Sequence, residues 1–149
     1  LAMLPGADSK RAAAHALLFE EFIAREAKAG RFKPNLRSAT RPALLHGHCH
    51  QKAFGVMGPV EETLRLIPDL KLEKIESSCC GMAGAFGYQA ETAEVSIAMG
   101  ELSLLPVVRA AGADTVLVAD GTSCRHQIEG GTERKAVHVA SLLAAHLPQ

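Results

Sequence analysis

The chain has 149 residues, 48% hydrophobic and 21% charged, and its sixteen basic and sixteen acidic side chains cancel. That length supports a core without disulfide staples, and the charge balance argues against nucleic acid or an anionic membrane surface as partner. No apolar run approaches the ~18 residues that span a bilayer.

The opening Leu1-Ala2-Met3-Leu4-Pro5-Gly6 has neither the basic region nor the apolar region of a signal peptide. A cytoplasmic, reducing compartment is expected, and the absence of an initiator Met points to a piece of a longer chain. Residues 9–29 read as one amphipathic helix, with Ala14, Leu17, Leu18, Phe22 and Ile23 at helical spacing. Asp8 or Ser9 would cap it and Gly30 would stop it. A polar connector follows from Arg31 to Arg41, so that residues 1–41 form the lead-in to a single domain over 1–149. Ala43 to His46 is a short strand. Pro59 to Ile67 is a helix with Pro in its first turn and Glu61 and Glu62 toward the positive end of its dipole. Leu70 to Glu76 alternates apolar and charged residues as a strand, with Leu70, Leu72 and Ile75 inward. Thr92 to about Leu105 is helical, with Val95, Ala98, Met99, Leu102 and Leu105 on one face. Pro106 kinks it or opens a second segment ending at Gly112. Thr115 to Ala119 is an apolar run of buried-parallel type, and Ala136 to Val139 is a fourth strand before a closing helix through His146. Such β–α alternation implies an α/β fold: a parallel sheet of about four strands with flanking helices in Rossmann-like layers.

The four cysteines, Cys49, Cys79, Cys80 and Cys124, each fall just after a predicted strand. Strands of one parallel sheet end on the same edge, where α/β sheets hold ligands, so thiols distant in sequence would converge there. Four such thiolates point to a metal or iron–sulfur site. Disulfides are the bland alternative, and a low-pKa Cys49 nucleophile between His48 and His50 is another, although it would explain one cysteine of the four. Adjacent Cys79 and Cys80 suit the two metals of a cluster better than one zinc ion, which is usually held by spaced pairs. The stretch Cys79-Cys80-Gly81-Met82-Ala83-Gly84-Ala85-Phe86-Gly87 lacks the spacing of either common nucleotide loop. Gly81 and Gly84 would let the backbone approach a cluster and donate N–H···S hydrogen bonds.

His46, His48 and His50 would share one face if that segment were extended, as a His-rich zinc site or, more commonly for such residues, in local side-chain hydrogen bonds. His50, beside Cys49, is the first candidate for a role at the site and His126, two residues past Cys124, the second. Lys52 and Arg125 would balance part of a thiolate-ligated cluster's charge, or are solvated surface charges. His15, His138 and His146 fall in regular elements and read as structural.

Cys49-His50, Cys79-Cys80-Gly81 and Ser123-Cys124 together resemble the cysteine-rich CCG domain found in heterodisulfide reductase, in the iron–sulfur component of glycolate oxidase and in lactate-utilisation proteins. The strings His46-Gly47-His48-Cys49-His50-Gln51-Lys52 and Ala119-Asp120-Gly121-Thr122-Ser123-Cys124-Arg125-His126-Gln127-Ile128 further resemble the C-terminal end of fused oxidoreductases. In those, an FAD-linked oxidase domain and a ferredoxin-like segment come first. The resemblance runs from about Ala16 to Leu143. It implies an iron–sulfur electron-transfer domain of an FAD-dependent D-2-hydroxy-acid dehydrogenase, with Cys49, Cys79, Cys80 and Cys124 as metal ligands and no catalytic residue of its own. The flavin and ferredoxin-like domains would be its partners, the electron acceptor being open, and the location cytoplasmic or peripheral to the inner membrane face. The family pattern ends in Cys-x-x-Cys, whereas Gly121 stands three before Cys124 here. Four cysteines suit a 4Fe–4S cluster or, in the alternative of a structural or docking domain, zinc.

Overall fold

The computed structural model describes residues 4–77 and 79–148; part of the opening segment read above as no signal peptide, residues 1–3, lies outside them, as do Ser78 and Gln149. Four strands, β1 (Ala43–His46), β2 (Leu72–Lys74), β3 (Val116–Ala119) and β4 (Ala136–Val137), pair in the order β2-β1-β3-β4, every pair parallel. The expected α/β fold is present. In the two central strands the register sets Ala43 against Val116 and His46 against Ala119.

Both faces of the sheet are covered, which is why its central strands are apolar without interruption. Ala43, Leu45 and Val118 point to one face and pack in a core with Ile23, Val60, Leu64, Val139 and Leu142. The helices there are α2 (Phe19–Lys28), α4 (Met57–Leu64) and α8 (Val139–Ala145). Leu44, Leu117 and Ala119 point to the other face, against Leu104, Leu105, Val108 and Ile128. That face carries α5 (Ala93–Glu101), α6 (Leu104–Ala110) and α7 (Thr122–Thr132).

The expected helix over 9–29 is two helices, α1 (Ala7–His15) and α2. Leu18 is extended at φ −68°, ψ 159°, and its N–H donates to Glu21 Oε2 at 2.8 Å, so α2 starts afresh there. Neither Asp8 nor Ser9 caps α1, which begins before both after Gly6, whereas α2 does end just before Gly30, at φ +70°. The helix over 92–105 also divides. Leu102 closes α5 with its side chain exposed, and Pro106 sits in the first turn of α6, where a missing N–H is harmless. Its inward face differs from the expected one: Ser96 and Gly100 are buried, while Val95 and Leu102 are exposed. The Cys79–Gly87 loop lies so close that only small residues fit: a Cβ on Gly81 would come within 2.1 Å of Ser96 O. Val139 belongs to α8 rather than to β4, and His138 caps that helix by accepting from Ala140 N at 3.0 Å. Two helices were not anticipated, α7 and the short α3 (Cys49–Ala53). Among the described residues no helix is long and apolar enough to cross a membrane.

Candidate metal centre

Three strand ends build the site. β1 runs into α3, whose first residue is Cys49; β3 runs into α7, whose third residue is Cys124; and β2 is followed by the segment that ends in Cys79 and Cys80. All three connections lie at the C-terminal edge of the sheet. Cys80 and Cys124 are buried, Cys49 and Cys79 partly so, and all four are free thiols. They are close enough to perturb one another. Burial raises the Cys49 thiol pKa, and the neighbouring Cys79 and Cys80 add to the rise. Cys80 is pulled well below the ordinary thiol range, first by a hydrogen bond from the Cys124 thiol and then by His46, against its own burial. Cys124 is correspondingly pushed up by holding that proton beside Cys80. Cys80 is thus the more acidic and Cys124 the less acidic of the two buried thiols. Gly81 N donates to Cys79 Sγ at 3.3 Å, one N–H···S bond of the expected kind.

Because α3 starts at Cys49, the three histidines of this segment do not share a face. His46, the last residue of β1, is 1% exposed, and one of its ring nitrogens lies within 4.8 Å of the Cys80 and Cys124 sulfurs. Its Nδ1 is 2.9 Å from Ser77 Oγ, and its Nε2 is buried with no hydrogen-bond partner among the described residues. His48 and His50 stack at 5.1 Å between ring centroids and form a second group with Cys49, whose sulfur is 4.0 Å from His50 Nδ1. Burial lowers the His48 pKa, and the neighbouring His50 lowers it further.

The remaining candidates sit around this cluster. Lys52 donates to the carbonyl of Ser77 and so braces the segment leading to Cys79. Arg125 donates to Ala119 O at 2.9 Å, Asp120 O at 2.7 Å and Thr122 Oγ1 at 3.1 Å, holding the β3–α7 turn. The exposed His126 has Nδ1 2.6 Å from the Tyr88 hydroxyl. Gly84 takes φ +68° with open space around it, which marks a turn. Gly121 is crowded: a Cβ there would lie 2.3 Å from His48 Cδ2 and 2.9 Å from Cys124 Sγ.

Sequence reasoning set His46 with His48 and His50 and not with Cys80 and Cys124, where the structure groups it. Strand parity could have found it, since His46 is two residues from Leu44 and must share its face with Cys80 and Cys124. It also passed over Glu20, Asp120 and His138, which gather at a cavity of about 400 Å³ beside Gly121 that is also lined by His48, His50 and Phe54. Glu20 is 3% exposed, and its carboxyl pKa is raised by burial and then by Asp120.

The donor set fits a thiophilic metal group. Two buried sulfurs meet, one of them with a lowered pKa, and a buried ring nitrogen beside them has no hydrogen-bond partner among the described residues. Over 140 residues, 94% of its length, the chain is 34% identical to one of the subunits of the anaerobic glycerol-3-phosphate dehydrogenase of Escherichia coli K12. The chain is similar to a dehydrogenase subunit. It spans about a third of that relative's length, 35%. It is also 39% identical over 59 residues to the D-2-hydroxyglutarate dehydrogenase of Escherichia coli K12, covering 40% of this chain and 6% of that protein. The Pseudomonas putida KT2440 D-2-hydroxyglutarate dehydrogenase is 38% identical over 69 residues, 46% of this chain and 7% of that protein. No family model matches the chain. No solved structure matches it either.

Proposed function

We propose that this chain is the electron-transfer segment of a flavin-dependent dehydrogenase and holds an iron–sulfur cluster, of 4Fe–4S type, on Cys49, Cys79, Cys80 and Cys124. What supports this reading is that three strand ends bring Cys49, Cys79, Cys80 and Cys124 to one edge of the sheet, Cys80 and Cys124 within 4.8 Å of each other, in a chain similar along 94% of its length to a dehydrogenase subunit. The substrates in the relatives' names, glycerol 3-phosphate and D-2-hydroxyglutarate, are both secondary alcohols. Their oxidation releases two electrons and two protons, and a bound cluster would supply single-electron acceptance and donation after a flavin had taken the pair.

The chain's own residues prepare and enclose the site. The Cys124 thiol and His46 lower the Cys80 pKa, which favours the metal-binding thiolate form, and Gly81 donates its N–H to Cys79 sulfur. Lys52, Arg125 and Gln51 hold the three converging segments in place. Oxidation of the alcohol belongs to a flavin domain or subunit, in line with the absence of a flavin fingerprint in these 149 residues. His50, Gly84 and His126 are assigned to the rim of the site. A zinc-stabilised docking domain is the second reading, favoured by the mixed His46–Cys80–Cys124 group, because zinc accepts Cys and His together.

Purification without oxygen, followed by iron, sulfide and zinc analysis and an absorption spectrum, tests the choice. Broad visible absorption with iron and sulfide supports the cluster, whereas one zinc and no colour supports the docking reading. In the complete dehydrogenase, Cys80→Ser should slow delivery to an external acceptor and leave flavin reduction by substrate intact in stopped-flow absorbance. Loss of flavin reduction itself, with the fold preserved, would overturn the relay role.

A further inference from the structure

His46 ends β1, a strand whose alternate residues face opposite sides of the sheet. Leu44 lies in the core that contains Cys80 and Cys124, so parity sends His46 toward the same two sulfurs. The side chain is 1% exposed, and among the described residues its Nε2 has no hydrogen-bond partner. A buried polar atom left unpaired is costly, and natural cores rarely retain one without a reason. The other ring nitrogen is engaged, with Nδ1 2.9 Å from Ser77 Oγ. When Nδ1–H donates to the serine, the lone pair of Nε2 is free. A histidine anchored through one nitrogen and open at the other is the usual arrangement of a metal-binding imidazole.

The surrounding atoms agree. The ligand atoms of His46, Cys80 and Cys124 all lie within 4.8 Å of one another, and all three residues are buried. Metal–sulfur bonds of about 2.3 Å and metal–nitrogen bonds of about 2.0 Å would need only a modest closure of that triangle. The set cannot be enlarged through position 121, since Gly121 has no side chain and a Cβ there would strike His48 and crowd Cys124 Sγ.

We propose that His46 is itself a ligand of the centre through Nε2, beside Cys80 and Cys124, with Ser77 fixing its tautomer. The inference rests on the reading of the cysteines as a metal centre, and refines it: since each iron of a 4Fe–4S cluster takes one protein ligand, His46 stands as a neutral nitrogen donor in place of one of the two outer cysteines, Cys49 or Cys79. Histidine in place of cysteine removes negative charge from a cluster and raises its reduction potential. His46 is therefore assigned a tuning role as well as a binding one.

The test uses protein labelled with ¹⁵N at histidine and reconstituted with iron and sulfide without oxygen. Pulsed electron paramagnetic resonance of the reduced protein should show a nitrogen coupling of direct-ligand strength that changes from the ¹⁴N to the ¹⁵N pattern. It should vanish in His46→Cys and persist in His48→Gln and His50→Gln. A zinc-loaded sample should show one nitrogen scatterer at about 2.0 Å by X-ray absorption, lost in His46→Cys. Ser77→Ala should weaken zinc binding by about tenfold while leaving the nitrogen in place. Metal bound by wild type through sulfur alone, without that nitrogen, would overturn the proposal and leave the cysteine centre standing. Failure of the wild-type protein to take up iron or zinc would remove both. The wild-type spectra decide the matter even where His46→Cys does not fold.

Discussion

Gln51 Nε2 donates to Asp120 Oδ2 at 2.7 Å, tying the helix that begins at Cys49 to the turn that leads to Cys124. Gln51 is buried, and its Oε1 accepts from His48 N at 3.3 Å. Asp120 Oδ1 in turn accepts from Val139 N at 3.1 Å. One amide thus sets the separation of two cysteines that lie seventy-five residues apart by their numbers. Gln51→Leu should destabilise the metal-free protein by about 1.5–3 kcal/mol, the range for a hydrogen bond to a charged group. Urea denaturation reads that loss directly. Unchanged stability would mean that water replaces the amide and the tie is dispensable.

The Cys80–Cys124 pair gives a spectroscopic prediction. The Cys80 pKa is lowered with Cys124 beside it, so metal-free protein should retain one thiolate equivalent at neutral pH, read by its ultraviolet absorbance. Cys124→Ala removes the donor and should move that titration toward the ordinary thiol range. The sign for stability follows from the lowered Cys80 value. Its contribution is fully present above the unfolded thiol pKa and is lost as pH falls through the folded one. An absorbance titration of wild type showing no thiolate at neutral pH would overturn the lowered Cys80 pKa.

Much of this layout is legible in the sequence, and the misreadings share a cause. β1 and β3 are plain because uninterrupted apolar residues mark strands covered on both faces. The cysteines are legible as a group because each follows a strand. The short helix at Cys49 is hidden by histidines that mimic an alternating extended pattern, and α7 by Gly130 and Gly131, poor helix formers. Gly131 is kept small by Leu105, since a Cβ there would come within 2.6 Å of Leu105 Cδ1. The split at Leu18 was masked because apolar spacing continues across it while the backbone does not. Glu20 and His138, which meet Asp120 from distant segments, leave no local signal at all.

Gly81 is a sharper test of how the Cys79–Gly87 loop is held. Its φ of +95° disfavours any other residue, and a Cβ would lie 2.1 Å from Ser96 O and 3.1 Å from Gln127 Nε2. Gln127 Nε2 already donates to Ser96 O at 2.9 Å, so neither neighbour can yield without breaking that bond. Gly81→Ala should cost about 2 kcal/mol or more and lower metal uptake by displacing Cys80. Gly84→Ala is the matched control, with a positive φ but open space around it, and should cost about 1 kcal/mol. Equal losses in the two variants would show that strain alone, and not the contact with α5, makes Gly81 necessary.

Glu20 sets the direction of a pH effect on stability. Burial and Asp120 raise its pKa, opposed by its own backbone N–H and by His138, while Glu21 adds a smaller rise. Its Oε1 is buried without a partner among the described residues, so ionisation leaves a charge that water no longer solvates. A carboxyl raised above its unfolded value favours the fold fully at pH below that unfolded value, and the contribution is lost as pH rises through the folded value. Wild-type stability should therefore fall from the unfolded carboxylate range, ~4.3, toward neutral pH by the share that Glu20 carries. Glu20→Gln keeps the shape and removes the charge, so it should be more stable than wild type at pH 7 and flatten that part of the profile. The difference between the two proteins, taken from urea midpoints at a series of pH values, isolates Glu20 from every other titrating group. A Glu20→Gln protein less stable than wild type at pH 7 would mean that the ionised carboxylate has a stabilising partner, and would point to a cation held between Glu20 and Asp120.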